Sequence, residues 1–242
     1  MESIYQHPFR VRYCDVTAGG TLRLSRLLAE WQETGMVQME QFGQGNDVTL
    51  RRGLLWIISR QNLHITRLPG LDEEVILRTW PGEMRHGLFP RYYEVEARDG
   101  TLLAQAVSQW SLLHCDSRTI ELRPQDRGVS LPPATTGREL PRSRSLRAVD
   151  TDHTGTFTVP YSFLDLNGHM NNARYLDLAQ DVLPRQTLPL RDLQIEYHHE
   201  ILDGETVTWG WTQQPLENGV RYYFQGAIAD QPCFRLQMDY GE

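Results

Sequence analysis

The sequence lacks several features that would assign it to well-marked classes of protein. Its three cysteines, Cys14, Cys115 and Cys233, are too few and too scattered for a disulfide framework or a CxxC metal motif. A reducing compartment fits this cysteine content best. Basic residues are not in excess, because 24 Lys and Arg stand against 31 Asp and Glu, for a net charge of -7. Nucleic acid is therefore not an expected partner, since binding phosphate needs a basic surface.

Targeting and membrane signals are missing as well. The first ten residues, MESIYQHPFR, have neither the basic start nor the apolar stretch of a secretory signal, and they are acidic where a transit peptide is basic. The longest apolar run, around Leu54 to Ile58, is far too short to span a bilayer. The sequence therefore predicts a cytoplasmic protein without a membrane span.

What the sequence does contain is an internal repeat. The stretch FRVRYCDVTAGGTLRLSRLLAEWQ from Phe9 aligns without a gap with FTVPYSFLDLNGHMNNARYLDLAQ from Phe157, at an offset of 157 − 9 = 148 residues. LHITRLPGLDEEV matches IEYHHEILDGETV at an offset of 132, and the triplets RYY at residues 91 and 221 match at an offset of 130. Three matches in the same order indicate a duplicated unit of roughly 110–120 residues. The alternative is chance similarity between β segments.

Each unit shows the same predicted order, which is a short strand, a long helix and several strands. Leucines and Trp31 recur at helical spacing from Leu24, and the second helix is expected to stop at Pro184. Later segments alternate as strands do, and Asp99-Gly100 and Asp203-Gly204 predict hairpin turns. The proline-rich segment 122–150 predicts a linker, so the two units are residues 1–121 and 151–242. One helix followed by several antiparallel strands predicts a sheet curled around a helix in each unit. If the sheets of the two units pair, a groove for a ligand is left between the units.

The stretch DLNGHMNNARYLD concentrates polar chemistry just before the second helix. Asp165, Asn167 and His169 align with Thr17, Gly19 and Thr21 of the first unit at an offset of 148. Glu200 aligns with Leu68 at an offset of 132. One unit is thus built without these groups, which favours a reaction centre over a network that only caps a turn.

The residue types suit acyl chemistry. Asn171 or Asn172 is a plausible N-cap, and a helix start carries partial positive charge that stabilises an oxyanion. His169 can transfer a proton near neutral pH, and Asp165 and Glu200 are both candidates for base or nucleophile. No metal site is expected at His198-His199, because adjacent residues of a strand point to opposite faces.

These stretches resemble the acyl-[acyl carrier protein] thioesterases of plant plastids and bacteria. DLNGHMNNARYLD is similar to that family's Asp-x-Asn-x-His-x-Asn-Asn-x-x-Tyr block, and IEYHHEILDGETV is similar to the strand with its catalytic glutamate. In the first unit LLAEWQETG, LLWIISRQNLHI, VILRTW and SQW are similar to family landmarks, so the resemblance covers roughly residues 9–240. Plant members often have cysteine directly after the glutamate, where this chain has Ile201. A cysteine nucleophile is therefore excluded at this position.

The resemblance implies a fold and an activity. The fold is an α+β tandem double hotdog, with two antiparallel sheets each wrapped around a long helix. The activity is hydrolysis of fatty acyl thioesters on the phosphopantetheine arm of acyl carrier protein, with the acyl chain in a tunnel mostly in the first unit and no cofactor. The resemblance implies the following site residues: catalytic Asp165, Asn167, His169 and Glu200, and substrate-binding Gln32, Trp56, Asn171 and Asn172.

Three alternatives stay open from the sequence. The first two keep the fold but change the substrate or the reaction, to an acyl-CoA thioesterase or a hotdog dehydratase. The third is an acyl-binding protein without catalysis. Two fused units already make a pseudo-dimer, so assembly into a homodimer is optional.

Overall fold

The computed structural model describes residues 3–142 and 144–242, and its main feature is one antiparallel sheet. Within this part of the chain there are ten strands and three α-helices, and none of the helices is long and apolar enough to cross a membrane. The strands are β1 Tyr5–Arg10, β2 Leu54–Ile65, β3 Glu74–Pro81, β4 Leu88–Ala97, β5 Leu102–His114, β6 His153–Thr158, β7 Leu190–Tyr197, β8 Thr206–Leu216, β9 Gly219–Ile228 and β10 Gln231–Gly241. The helices are α1 Leu24–Gln41, α2 Asn46–Arg51 and α3 Arg174–Val182.

The strand order shows how the two predicted units combine. It runs β1-β3-β4-β5-β2-β7-β10-β9-β8-β6, so the first five positions come from the first half and the last five from the second. Each half contributes one antiparallel sheet, as predicted, and the two sheets join edge to edge through β2 and β7. The order within each half is the same when read outward from this seam.

The helices differ in length between the halves. α1 is 18 residues long and buries Leu24, Leu27, Leu28 and Trp31 at helical spacing. α3 has only nine residues, because it ends at Val182 shortly before Pro184. The prediction of a long helix is therefore correct for the first half and too long for the second.

The two predicted hairpin turns have different outcomes. Asp99-Gly100 joins β4 to β5, which are neighbours in the sheet, so this prediction is confirmed. Asp203-Gly204 does form a turn, with Gly204 in the left-handed region at φ 71°. It is not a hairpin, because β7 and β8 are separated in the sheet by β10 and β9.

The seam between the halves is short. β7 pairs with β2 only from Arg60 to His64, and β2 has a register irregularity between Ile58 and Arg60. Before Arg60, β2 pairs with β5 alone. On the other side of the seam, β7 ends at Tyr197. The two segments, 54–59 and 197–200, therefore separate and leave a notch between the halves.

The buried apolar residues form two clusters. The large one extends through both halves and includes Trp31, Leu176 and Phe224. The small one lies in the first half beside the notch and consists of Met39, Leu54, Trp56, Ile58, Phe89, Trp110, Leu112 and Val129.

The segment between β5 and β6, which contains the predicted linker 122–150, is attached to both halves. In the first half Arg138 forms ion pairs with Glu94 (2.9 Å) and Glu96 (2.7 Å). In the second half Gln225 Nε2 donates to the carbonyl oxygen of Val149 at 2.9 Å. These contacts fix the segment along the sheet.

We expect the seam to contribute strongly to stability through Leu193, which is 2% exposed on β7 and lies opposite Leu63 of β2. Leu193→Ala should lower the free energy of unfolding by about 2–5 kcal/mol, because it removes buried methyl groups and leaves a cavity. Urea unfolding at equilibrium measures this change. Leu216→Ala, at a position that is 37% exposed, is the control and should cost less than about 1 kcal/mol. Equal losses in both variants would contradict the role of the seam.

Candidate active site

The loop that carries Asp165, Asn167 and His169 is a tight turn just before α3. The backbone N–H of Asp165 donates to the carbonyl of His169 (2.8 Å), and that of Gly168 donates to the carbonyl of Asp165 (3.0 Å). Gly168 has a φ of 78°, which glycine adopts without strain. The Asp165 carboxylate closes the turn, since its Oδ1 accepts the N–H groups of Asn167 (2.8 Å) and His169 (3.3 Å).

The first half has the same turn without the acid. The N–H of Thr17 donates to the carbonyl of Thr21 (2.8 Å), the N–H of Gly20 donates to the carbonyl of Thr17 (2.9 Å), and φ of Gly20 is 77°. The Thr17 hydroxyl accepts the N–H of Gly19 at 3.2 Å. The Asp165 carboxylate therefore caps its turn, as the Thr17 hydroxyl does at the equivalent position.

The turn brings His169 to Glu200. The N–H of Met170 donates to the carbonyl of Ile201 (2.7 Å), and His169 forms an antiparallel bridge with Leu202. As a result His169 Nε2 lies 3.4 Å from Glu200 Oε2. The turn of the first half is tied down in the same way by a bond between Leu22 and Pro69, so only the side chains at these positions make the second half different.

Arg118 is a site residue that the sequence reasoning missed. Its Nη2 contacts the same Glu200 oxygen, Oε2, that His169 faces. Arg118 belongs to the first half, in the turn after β5, and holds a left-handed backbone with φ 55°, which is uncommon for a residue with a side chain. No repeat or motif marks this position, so only the folded chain reveals it.

The polar residues open into a cavity of about 380 Å³ at the notch. Its walls are apolar on the side of the small cluster, where Trp56, Ile58 and Trp110 contribute, and Met36 of α1 completes them. Seven of the eight predicted site residues line this one cavity: Gln32, Trp56, Asp165, Asn167, His169, Asn172 and Glu200.

Asn171 is the exception. It lines a different cavity, of about 790 Å³, between α1 and α3. Ala173 stands directly before the first helical residue, Arg174, but its dihedral angles are already helical and its side chain caps no backbone N–H. Asn171 still supports the start of the helix, since its Oδ1 accepts the N–H of Ala173 at 2.9 Å.

Exposure to water and burial differ among the side chains of the site. Glu200 and His169 are 37% and 24% exposed in their side chains, so water can reach both. Burial raises the pKa of Tyr197 well above its ordinary value, so its hydroxyl stays protonated. That hydroxyl lies 3.0 Å from the carbonyl oxygen of Asn172, beside the helix start.

The two neighbouring histidines, His198 and His199, do not converge. His198 lies 3.5 Å from Glu196, and burial is the main cause that lowers its pKa. His199 instead contacts Gln231. They have separate partners, although both lie after the end of β7 and line the cavity.

The architecture defines the class: two helix-and-sheet units fused into one sheet make a double hotdog. Solved structures share this fold. An acyl-ACP thioesterase from Bacteroides thetaiotaomicron matches with a TM-score of 0.84 and 20% identity over 98% of both chains. The 12:0-ACP thioesterase from Umbellularia californica matches with a TM-score of 0.84 and 18% identity, over 98% of this chain and 93% of that one.

The family follows from the sequence matches. Residues 2–126 match the acyl-ACP thioesterase N-terminal domain, and residues 146–231 match the C-terminal domain. The chain therefore belongs to the acyl-ACP thioesterase family. It is 22% identical over 216 residues to the chloroplast acyl-[acyl-carrier-protein] hydrolase FATB2 of Cuphea viscosissima. This match covers 81% of this chain and 52% of that protein. The chain spans about half the length of the curated relatives it matches.

Proposed function

We propose that the protein hydrolyses fatty acyl thioesters of acyl carrier protein and releases free fatty acid. The observation that carries this proposal is the contact between His169 and Glu200 at the polar end of a cavity with apolar walls. A thioester with a long acyl chain offers a matching pair of features, a reactive polar group and an apolar tail. Membership of the family and the named activities of its relatives support the same substrate.

In this proposal Glu200 is the general base. It takes a proton from a water molecule, and the resulting hydroxide attacks the carbonyl carbon of the thioester. The tetrahedral intermediate then collapses, the C–S bond breaks, and the thiol leaves with the proton that Glu200 had accepted. His169, 3.4 Å from Glu200, orients the carboxylate and can carry this proton to sulfur.

The carbonyl oxygen needs donors as it gains negative charge. Asn172 lines the cavity beside the start of α3, where the helix offers partial positive charge, and the exposed amide of Asn167 faces it from the turn. The acyl chain extends from there past Trp56, with Gln32 of α1 at the wall.

In this proposal Asp165 is not the nucleophile. Its Oδ1 is held by two backbone N–H groups, and Thr17 makes the equivalent bond in the first half. A carboxylate stabilised in this way is a weaker nucleophile, because attack would cost it those hydrogen bonds. Asp165 therefore positions the turn and, through it, His169.

The partner in this proposal is acyl carrier protein with its phosphopantetheine arm, which enters through the notch. Location in the cytoplasm and optional assembly into a homodimer remain predictions from the sequence. The acyl-CoA alternative differs only in the carrier of the arm, so the same site would serve it.

We expect His169→Ala and Glu200→Ala each to lose at least ~100-fold in kcat, since each removes a group that transfers or orients a proton. The assay compares lauroyl thioesters of acyl carrier protein and of CoA side by side, and higher kcat/KM for CoA would favour the acyl-CoA alternative. The control variants are His64→Ala and Glu217→Ala, which change exposed residues outside the cavity. Turnover near that of the controls would contradict the roles given to His169 and Glu200, whereas an acyl-binding protein without catalysis would show no turnover in the wild type either.

Single-turnover hydrolysis in heavy-oxygen water separates the two carboxylates. With Glu200 as base, the label should appear only in the fatty acid, because water attacks the thioester directly. Mass spectrometry of the fatty acid and of the peptide that contains Asp165 reads both positions. Label in the Asp165 side chain would show an anhydride intermediate and refute the role given to Glu200.

Arg118→Ala should lower kcat by about 10–100-fold, because a hydrogen bond to a charged group is worth about 1.5–3 kcal/mol. Arg118→Lys should recover part of the loss. The matched control is Arg123→Ala, which removes an exposed arginine whose ion pair is with nearby Asp126. Added guanidinium should restore activity to Arg118→Ala if the lost group acts on Glu200, and no rescue together with normal kcat would contradict this contact.

A further inference from the structure

Three rows of side chains cross the first half of the sheet on the side that faces α1, in register from β4 through β5 to β2. The first row is apolar and belongs to the small cluster: Phe89, Trp110 and Ile58. The second row is polar, and we call it the polar belt: Arg91, Ser108 and Gln61. The third row is apolar again and belongs to the large cluster: Tyr93, Ala106 and Leu63.

The polar belt is buried and tied to α1. Arg91 is 2% exposed, and its Nη1 donates to Gln38 Oε1 at 2.6 Å and to Thr79 Oγ1 at 3.2 Å. Its Nη2 has no hydrogen-bond partner among residues 3–142 and 144–242. No acid forms an ion pair with Arg91 in the described part of the chain, and a buried guanidinium without such a partner is costly, so this layer is not a simple extension of the core.

The cavity meets the polar belt at two of its lining residues. Trp110 lines the cavity, and its Nε1 donates to Ser108 Oγ at 2.6 Å. Tyr197 also lines the cavity, and its hydroxyl lies 3.0 Å from Gln61 Oε1. The inner wall of the cavity is therefore backed by the belt at both residues.

An acyl chain that passed this wall at Trp110 or Tyr197 would enter the belt. Beyond Trp110 its methylene groups would displace buried hydrogen bonds and lie against the charge of Arg91, which offsets the gain from burying more apolar surface. We propose that the polar belt, with Trp110 in front of it, is the stop that limits the length of the acyl chain. This inference rests on the proposed function of the cavity.

The test compares two variants that differ only in the polarity of the belt, Trp110→Ala/Arg91→Met and Trp110→Ala/Arg91→Gln. The ratio of kcat/KM for palmitoyl over octanoyl thioesters of acyl carrier protein should rise at least ~10-fold in the Met variant relative to Trp110→Ala, because the chain gains an apolar path. The Gln variant should stay near Trp110→Ala, since glutamine keeps the belt polar. Equal ratios in the Met and Gln variants would overturn the proposal.

Trp211→Ala is the control for the loss of a buried tryptophan. Trp211 belongs to the large cluster in the second half and does not line the cavity, so the chain-length ratio should stay at the wild-type value. A change as large as that of Trp110→Ala would mean that general loosening, and not the stop, sets the preference.

Calorimetric titration with saturated fatty acids of graded length tests the belt without hydrolysis. In the wild type the gain in affinity per added methylene should level off at a shorter fatty acid than in Trp110→Ala/Arg91→Met. If the double variants do not fold, the single variants Arg91→Met and Arg91→Gln carry the same expectation. If the fatty-acid length at which affinity levels off shifts in the Met variant but the protein hydrolyses no thioester, the proposed function alone is refuted. Hydrolysis with an unshifted limit would refute the stop alone.

Discussion

The pairing of β2 with β7 stops at Arg60 and Glu196, and the candidate site exists because it stops there. The last pair is held by an ion pair of 2.8 Å between the Arg60 Nε and Glu196 Oε1 atoms, and the same carboxylate oxygen accepts the N–H of Leu146 from the segment that joins the halves. Beyond this point the chain from Tyr197 to Glu200 no longer pairs with β2 and stays attached to β10, so Glu200 can face the turn before α3. Continued pairing would have closed the notch with backbone hydrogen bonds and left no cavity.

The comparison between the halves separates scaffold from chemistry within one molecule. Both halves fold the same turn, with a glycine in the left-handed region and a side-chain oxygen that accepts a backbone N–H. The second half then places an imidazole and a carboxylate where the first has Thr21 and Leu68. A site of this kind needs few substitutions, because the backbone geometry that brings the two positions together is already present.

The sequence was a good guide to the second half and a poor one to contacts between the halves. The repeat predicted the two units, and the position-by-position comparison singled out Asp165, Asn167, His169 and Glu200, all of which line one cavity. That comparison weighed residue identity and not hydrogen-bonding capacity, so it missed that Thr17 and Asp165 make the same bond. Asn171 was misplaced because a shift of one or two residues at a helix start turns a side chain to another face.

Arg118 and the polar belt illustrate what local patterns do not contain. Arg118 reaches Glu200 from a turn 82 residues earlier in the chain, and the periodicity of β5 gives no hint of that contact. Along β4 the alternation of buried positions places Arg91 in the interior, where its charge conflicts with the pattern. Such conflicts between local pattern and burial often coincide with functional or strained positions.

The seam also joins parts of the chain that are far apart in sequence. Tyr197 and Gln61, which meet beside the notch, are separated by 136 residues. Closing a loop of this length costs entropy before any contact compensates for it, and folding slows as such contacts come to dominate. Each half can form its own helix and strands from nearer neighbours, whereas the geometry of the site requires both halves to be in place. The candidate site is thus coupled to the strand pairing that spans the longest stretch of the described chain, and a chain with two folded but undocked halves would have no such site.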